Sequence, residues 1–168
     1  MSVNAYQATV PAFVQILNAI SAILKKAAAH AEAKKIDPAV FVNARIAPDM
    51  FPLSRQVQIA TDHAKGASAR LAGVDVPSYA DTETTFDELQ ARIAKTLDFV
   101  KGLKPAQFDG GFDRDVTLTI AGQKMTWKGN VYLHQFALPN FYFHATAAYA
   151  ILRHNGVEVG KRDFLGTF

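Results

Sequence analysis

The sequence contains no cysteine, which excludes disulfides, thiolate nucleophiles and cysteine-ligated zinc sites together. It also has no long unbroken apolar run, because Pro11, Gln15 and Asn18 interrupt the apolar residues near the N-terminus, whereas a membrane span needs roughly 18 or more. The first residues lack the basic start of a secretory signal. These absences predict a soluble cytoplasmic protein with no membrane partner.

The excess of positive over negative charge is also small. Eighteen lysines and arginines stand against 15 carboxylates, the net charge is +3, and the basic residues are dispersed. A nucleic-acid binder would concentrate them into one patch interleaved with aromatics, so we expect no nucleic-acid partner. The chain has 168 residues, 49% of them hydrophobic, which is enough for one hydrophobic core but short for two domains of typical size. The length therefore predicts a single domain over residues 1–168.

Four segments carry apolar residues at three- and four-residue intervals, the pattern of an amphipathic helix. The first is predicted from about Thr9, or a turn earlier, to the lysines at 34 and 35. The second runs from Leu53 to a cap at Gly73, and the third from a Thr85–Glu88 capping box to Gly102. The fourth is predicted from Asn130 to His154, with a left-handed cap at residues 155–156 and a kink or local break at Pro139.

A short β-hairpin is predicted between the third and fourth helices. Val116, Leu118 and Ile120 alternate with threonines, and Ala121-Gly122 or Gly122-Gln123 can form the turn. One apolar face of the hairpin should lie against the helices. The predicted fold is therefore all-α, a four-helix bundle with one small hairpin, followed by an irregular tail packed through Phe164, Leu165 and Phe168.

Histidines are the candidate metal ligands: His30, His63, His134, His144 and His154. Asn140 and His144 are four residues apart and share one face of the last helix. His134 lies ten residues before His144, about 15 Å along the helix axis, so the two can share an ion only if the break at Pro139 is large. His63 flanks the small-residue seam of the second helix, where it could face the bundle interior. His30 and His154 lie at helix ends, which suits capping or surface roles.

Phe141, Tyr142 and Phe143 follow one another in the last helix. Because successive helical residues are about 100° apart, their rings point in three directions. Core packing accounts for two of the three, and a large aromatic left exposed marks an interface. We therefore predict a homodimer through an apolar helical face.

The stretch from His144 to Arg153, followed by Gly156-Val157 and Asp163-Phe164-Leu165, resembles the last helix of the DinB/YfiT-like superfamily. The order of two helices, a long crossover and two more helices is also similar, most of all to bacterial members with a hairpin before the last helix. The resemblance implies an up-down-down-up four-helix bundle. It also implies a divalent metal bound by one histidine of the second helix and two of the fourth, and in some members metal-dependent transferase or isomerase activity with a small thiol.

Carried over by position, the resemblance implies a site of His63, Asn140 and His144, with Asn140 standing where the first histidine of the last helix is expected. An amide oxygen is a weaker ligand than imidazole for zinc or nickel. The leading hypothesis is a divalent-metal-dependent enzyme that acts on a small thiol or electrophile, with catalytic residues unknown. The alternative is a non-enzymatic ligand-binding or dimerising bundle whose metal site is degenerate.

Overall fold

The computed structural model of the protein describes residues 3–167, which are mostly helical. Elements are numbered in chain order. The four longest helices are α1 (Ala5–Lys34), α3 (Leu53–Ala72), α4 (Phe86–Gly102) and α6 (Leu138–His154). The shorter elements are α2 (Pro38–Val42), a 3-10 turn (Pro105–Phe108), β1 (Asp115–Ile120), β2 (Gln123–Lys128), α5 (Gly129–Tyr132) and α7 (Lys161–Leu165). The predicted all-α class with one small antiparallel hairpin is confirmed.

Helix ends follow the predicted capping chemistry at most positions. Gly73 ends α3 with φ of +70°, Gly156 follows α6 with φ of +86°, and Thr85 and Glu88 cap the start of α4 reciprocally. The start of α1 lies at Ala5, the earlier of the two predicted positions, because Asn4 and Gln7 form an equivalent reciprocal cap. Pro11 therefore lies inside the second turn.

The last helical segment is continuous from Gly129 to His154 through one π-helical turn, Leu133–Ala137. The local break predicted at Pro139 therefore takes the form of a widened turn just before the proline. Such turns leave backbone carbonyls without their usual partners. The side-chain Nδ2 of Asn140 donates to the carbonyl oxygen of Phe136, within this turn, at 2.7 Å.

One apolar core is shared by α1, α3, α4 and the last helical segment. Helix α1 contains a stretch with mean hydropathy of 1.4, which by length and composition alone is long enough to cross a membrane, although half of that stretch is buried inside the fold. Buried core helices of globular proteins have the same composition. Unbroken apolar runs do not reveal the high mean hydropathy of α1, because Pro11, Gln15 and Asn18 interrupt its apolar residues.

The hairpin packs one face against the helices, as predicted. Ile120 pairs with Gln123, so Ala121 and Gly122, with φ of +48° and +80°, form the two-residue turn that suits the strand twist. Val116 is buried and lies opposite Trp127.

Two glycines allow the last helical segment to begin close to the preceding loop. A Cβ atom on Gly129 would overlap the carbonyl oxygen of Gly111, and one on Gly111 would lie 2.7 Å from the carbonyl oxygen of Leu71. The start of α5 is thereby held directly against the end of α3.

The tail is more regular than predicted. Residues Lys161–Leu165 form α7, and the Phe164 ring packs edge-on against Tyr149 with 5.8 Å between centroids. Asp163 caps α7 by accepting from the Gly160 N–H at 2.7 Å, which explains why the expectation of an irregular tail was wrong. Phe168 lies outside the described residues.

Candidate functional site

Helix α3 presents three polar side chains to the last helical segment at seven-residue spacing, Gln56, His63 and Arg70. Seven residues correspond to about two helical turns, so the three share one face. Gln56 contacts His144, His63 packs against His144 and Phe136, and Arg70 contacts Tyr132. Partner numbers fall as α3 numbers rise, which shows that the two helices run antiparallel here.

The two histidines that the sequence singled out on different helices meet at this interface. The rings of His63 and His144 are nearly parallel, at 13°, with 6.1 Å between their centroids. His144 is buried, with 9% of its surface exposed, and His63 is half-buried. The arrangement forms an imidazole pair enclosed between α3 and α6.

Gln56 fixes the orientation and the tautomer of His144. Its amide nitrogen donates to the Phe51 carbonyl oxygen at 3.0 Å, so its Oε1 faces the His144 Nδ1 at 2.7 Å. An amide oxygen only accepts, so Nδ1 carries the proton and Nε2 keeps a lone pair. Metal-binding histidines are oriented by outer hydrogen bonds of this kind.

Both histidines are held in the neutral form. Burial lowers the pKa of His63 to about 4, with smaller contributions from the nearby His144 and the Arg70 guanidinium. Burial, and then the charge of Arg55, lowers the pKa of His144. Neutral imidazole is the form that binds metals, so the pair is ready to act as a ligand at neutral pH.

Asn140, the third residue predicted for the site, is half-buried and its side-chain nitrogen is engaged by its own helix through Phe136. Only its Oδ1 could serve a metal. Within residues 3–167, no group of three or more histidines and carboxylates is arranged to hold a metal ion. The donors available here are therefore two imidazoles and one amide oxygen.

The remaining histidines lie elsewhere. The His134 Nδ1 lies 2.8 Å from the carbonyl oxygen of Asn130, and its ring packs near Phe112. His30 packs edge-on against Phe41 at 5.8 Å, and His154 is exposed at the end of α6. None of the contacts found for these three histidines within residues 3–167 involves His63 or His144.

Aromatic rings form one wall beside the pair. Phe136 lies 5.7 Å from His63 and stacks on Trp127 of the hairpin at 5.6 Å and 21°. Tyr132 packs near the same ring at 6.0 Å. The hairpin thus covers the side of the site next to His63.

Sequence reasoning missed Gln56 and Arg70. The signal available was their spacing: both lie seven residues from His63, on the face that also carries the small residues of the α3 seam. Helical periodicity marks apolar positions directly, whereas a polar residue on the same face gains meaning only once its partner on another helix is known.

Comparison with known proteins identifies the family. Residues 5–165 match the family described as Domain of unknown function (DUF1993). The crystal structure of a DinB family member protein from Shewanella denitrificans is 45% identical, with a TM-score of 0.91 over 97% of this chain and 92% of that chain. No curated protein matches the chain. The chain therefore belongs to the DUF1993 family, which has a DinB-like fold.

Proposed function

We propose that this DinB-like protein binds a divalent metal, zinc or nickel, through His63 and His144, and that it acts on a small thiol or electrophile there. The observation that carries the proposal is the facing pair of neutral imidazoles, one with its Nε2 lone pair freed by Gln56.

The donor set fits such an ion. Zinc binds an imidazole nitrogen in the plane of the ring at about 2.0–2.1 Å. With 6.1 Å between the ring centroids, both rings can reach one ion if the His63 ring turns a nitrogen toward the His144 Nε2. Asn140 can add its Oδ1 as a weaker third ligand. Two or three protein ligands leave coordination positions open for a ligand, which is typical of catalytic rather than structural sites.

Each protein group has a separate task in this proposal. A bound divalent ion lowers the pKa of a coordinated thiol and polarises an electrophile. His63 and His144 hold it, Gln56 keeps the His144 Nε2 available, and Phe136 and Trp127 restrict water on one side. The aromatic wall also provides apolar surface for a small ligand.

The alternative function is a ligand-binding bundle with a degenerate metal site. It is favoured by one observation, the hydrogen bond that engages the Asn140 amide with Phe136 of its own helix. In that case the imidazole pair and aromatic wall would bind a small molecule without a metal.

Zinc and nickel titrations of tag-free, chelator-stripped protein distinguish the two functions. We expect one ion per chain, with binding abolished in His63→Ala and in His144→Ala. Gln56→Leu should weaken affinity about 10–100-fold, the effect typical of an outer-shell partner. His154→Ala, which changes an exposed histidine, is the matched control and should bind as the wild type does. Equal affinity in all four variants, or no binding by the wild type, would reject the metal site.

We also propose a helix order, an origin, a cellular location and partners for the protein. The antiparallel pairing of α3 with the last helical segment supports an up-down-down-up order within a single domain of residues 1–168. The similar Shewanella protein supports a bacterial origin. We further propose a cytoplasmic protein that takes a small-molecule ligand, has no nucleic-acid or membrane partner, and forms a homodimer.

A further inference from the structure

We infer that Arg70 is an anion-binding residue of this site and that it selects ligands carrying a carboxylate next to the group that reaches the histidines. The preference for a thiol with a carboxylate rests on the proposed function, whereas binding of the carboxylate to Arg70 does not.

The charge of Arg70 is not compensated by the protein. On α3, Arg55, Asp62 and Lys65 each take part in an ion pair. No ion pair found among residues 3–167 includes Arg70, although it is half-buried. A cation removed from water without a counter-ion is costly, so an anion entering from solvent would be favoured.

The guanidinium of Arg70 is held in place by two features. Its Nη1 donates to the hydroxyl of Tyr132 at 3.2 Å. It also lies over Gly66, where an added Cβ would be 2.5 Å from the same Nη1 and would meet no other residue. Glycine weakens a helix interior, and here its missing side chain provides the space that the guanidinium occupies.

This position places the guanidinium beside the imidazole pair. Gly66 is three residues from His63, which is about 4.5 Å along the helix axis. Tyr132, the partner of Arg70, also packs against the Phe136 ring that lies beside His63. A small molecule with an acid group two or three bonds from a thiol can therefore contact both. The buried Tyr132 hydroxyl accepts from Arg70 and so leaves the other N–H groups of the guanidinium to the anion.

The chemistry of the guanidinium fits a carboxylate. It has five N–H donors in a planar fork that can bind two carboxylate oxygens at once, and only one of them is used by Tyr132. A lysine has the charge but not the fork. An uncharged thiol would leave the guanidinium without a counter-ion.

Thioglycolate and uncharged 2-mercaptoethanol are the matched probes. With zinc-loaded wild type, we expect thioglycolate to bind about tenfold more tightly, the gain typical of a charge-assisted hydrogen bond. In metal-free protein, thioglycolate should shift the backbone amide signals of Gly66 and Arg70 in NMR spectra, and 2-mercaptoethanol should not.

Two variants test the role of Arg70 without relying on a damaged fold. Arg70→Gln removes the charge. Gly66→Ala keeps Arg70 but displaces its guanidinium, and it should resist urea at least as well as wild type because alanine favours the helix. Both should lose the preference for thioglycolate, and Gly102→Ala, which meets no neighbouring atom, should keep it.

The outcomes separate this inference from the proposed metal function. If zinc binds but thioglycolate has no advantage, or keeps it in Arg70→Gln, the inference is overturned and the metal site stands. If zinc does not bind but thioglycolate still shifts Gly66 and Arg70 in an Arg70-dependent way, the metal site fails and the anion site stands.

Discussion

At the scale of single residues, the site depends on groups that keep the imidazoles neutral and oriented. Gln56 orients the His144 ring, because its side-chain nitrogen donates to the Phe51 carbonyl and its side-chain oxygen accepts from the His144 Nδ1. For the His63 ring, no hydrogen bond of this kind is found among residues 3–167, and burial is the main influence on its charge state. Its neutrality is therefore linked to the stability of the fold.

The pH dependence of stability tests this link in metal-free protein. The pKa of His63 is lowered from 6.5 to about 4, so between those values the unfolded chain binds the proton and the folded protein does not. The contribution of neutral His63 to the free energy of unfolding is therefore complete above pH 6.5. It decreases as the pH falls toward 4, by up to about 1.4 kcal/mol per pH unit. His144, whose pKa is also lowered, contributes with the same sign.

Urea unfolding between pH 7 and pH 4.5 measures this loss. His63→Gln cannot titrate and should show a shallower decrease over the same interval. Three carboxylates, Asp81, Glu88 and Asp163, also have lowered pKa values and lose their contribution toward low pH. They are present in both proteins, so the difference between the two profiles reports on His63. A His63→Gln profile identical to that of the wild type would show that the ring is not buried as described.

At the scale of elements, Arg92 of α4 contacts both α3 and the linker between α3 and α4, residues 73–85. Its side chain is 2% exposed, and it pairs with Asp62 at 2.8 Å and with Asp81 and Glu83 at 3.0 Å each. Its Nε also donates to the Thr61 hydroxyl at 2.7 Å. The linker is thus fastened to the bundle by one buried guanidinium.

Removing this guanidinium should be costly. Arg92→Met leaves the mostly buried Glu83 without its counter-ion, whereas Asp62 keeps Lys65 and Asp81 keeps Arg55. The loss expected for leaving one such polar group without its partner is about 1–3 kcal/mol. Lys26→Met is the matched control: the Lys26–Asp163 pair is exposed, at 52% and 28%, and should contribute less than about 1 kcal/mol. Denaturant unfolding of both variants measures the difference, and equal losses would contradict the role given to Arg92.

The junction between the loop and the last helical segment provides a second test at this scale. Gly129→Ala would drive a methyl group into the Gly111 carbonyl oxygen, and such overpacking costs about 1–3 kcal/mol. Gly102→Ala meets no neighbouring atom and should be neutral or stabilising. Thermal unfolding of the pair gives the sign directly, and a stable Gly129→Ala protein would show that the two segments do not approach so closely.

At the scale of the whole molecule, α6 has an exposed apolar face. Phe141 is buried, whereas Tyr142 and Phe143 are 38% and 58% exposed, so the prediction that two of these three rings belong to the core was wrong. Beside them lies a groove of about 410 Å³ lined by Ile46, Met50 and Pro139 among others. No lysine, arginine or carboxylate occurs from Gly129 to Leu152, which supports the proposed homodimer through this uncharged face.

The proposed homodimer should depend on the exposed rings. Phe143→Ser removes the most exposed aromatic of the face and should convert a dimer to a monomer in multi-angle light scattering at micromolar concentration. Met125→Ser, which changes an exposed apolar side chain of the hairpin, should remain dimeric. A monomeric wild type would contradict the homodimer.

The sequence by itself determined the four long helices, most of their caps and the hairpin, because these follow from local periodicity, turn chemistry and the conformational limits of glycine and proline. It also identified His63, Asn140 and His144 as candidate ligands through spacing and family resemblance. Local patterns could not show that Asn140 donates to the carbonyl of Phe136, since an asparagine side chain can bond its own helix or face a neighbouring helix. Only the tertiary structure placed His63 against His144, turned Gln56 toward the Nδ1 of His144 and laid Arg70 over Gly66, because each contact depends on how two faces of distant helices meet or on where a long side chain comes to rest in the packed interior.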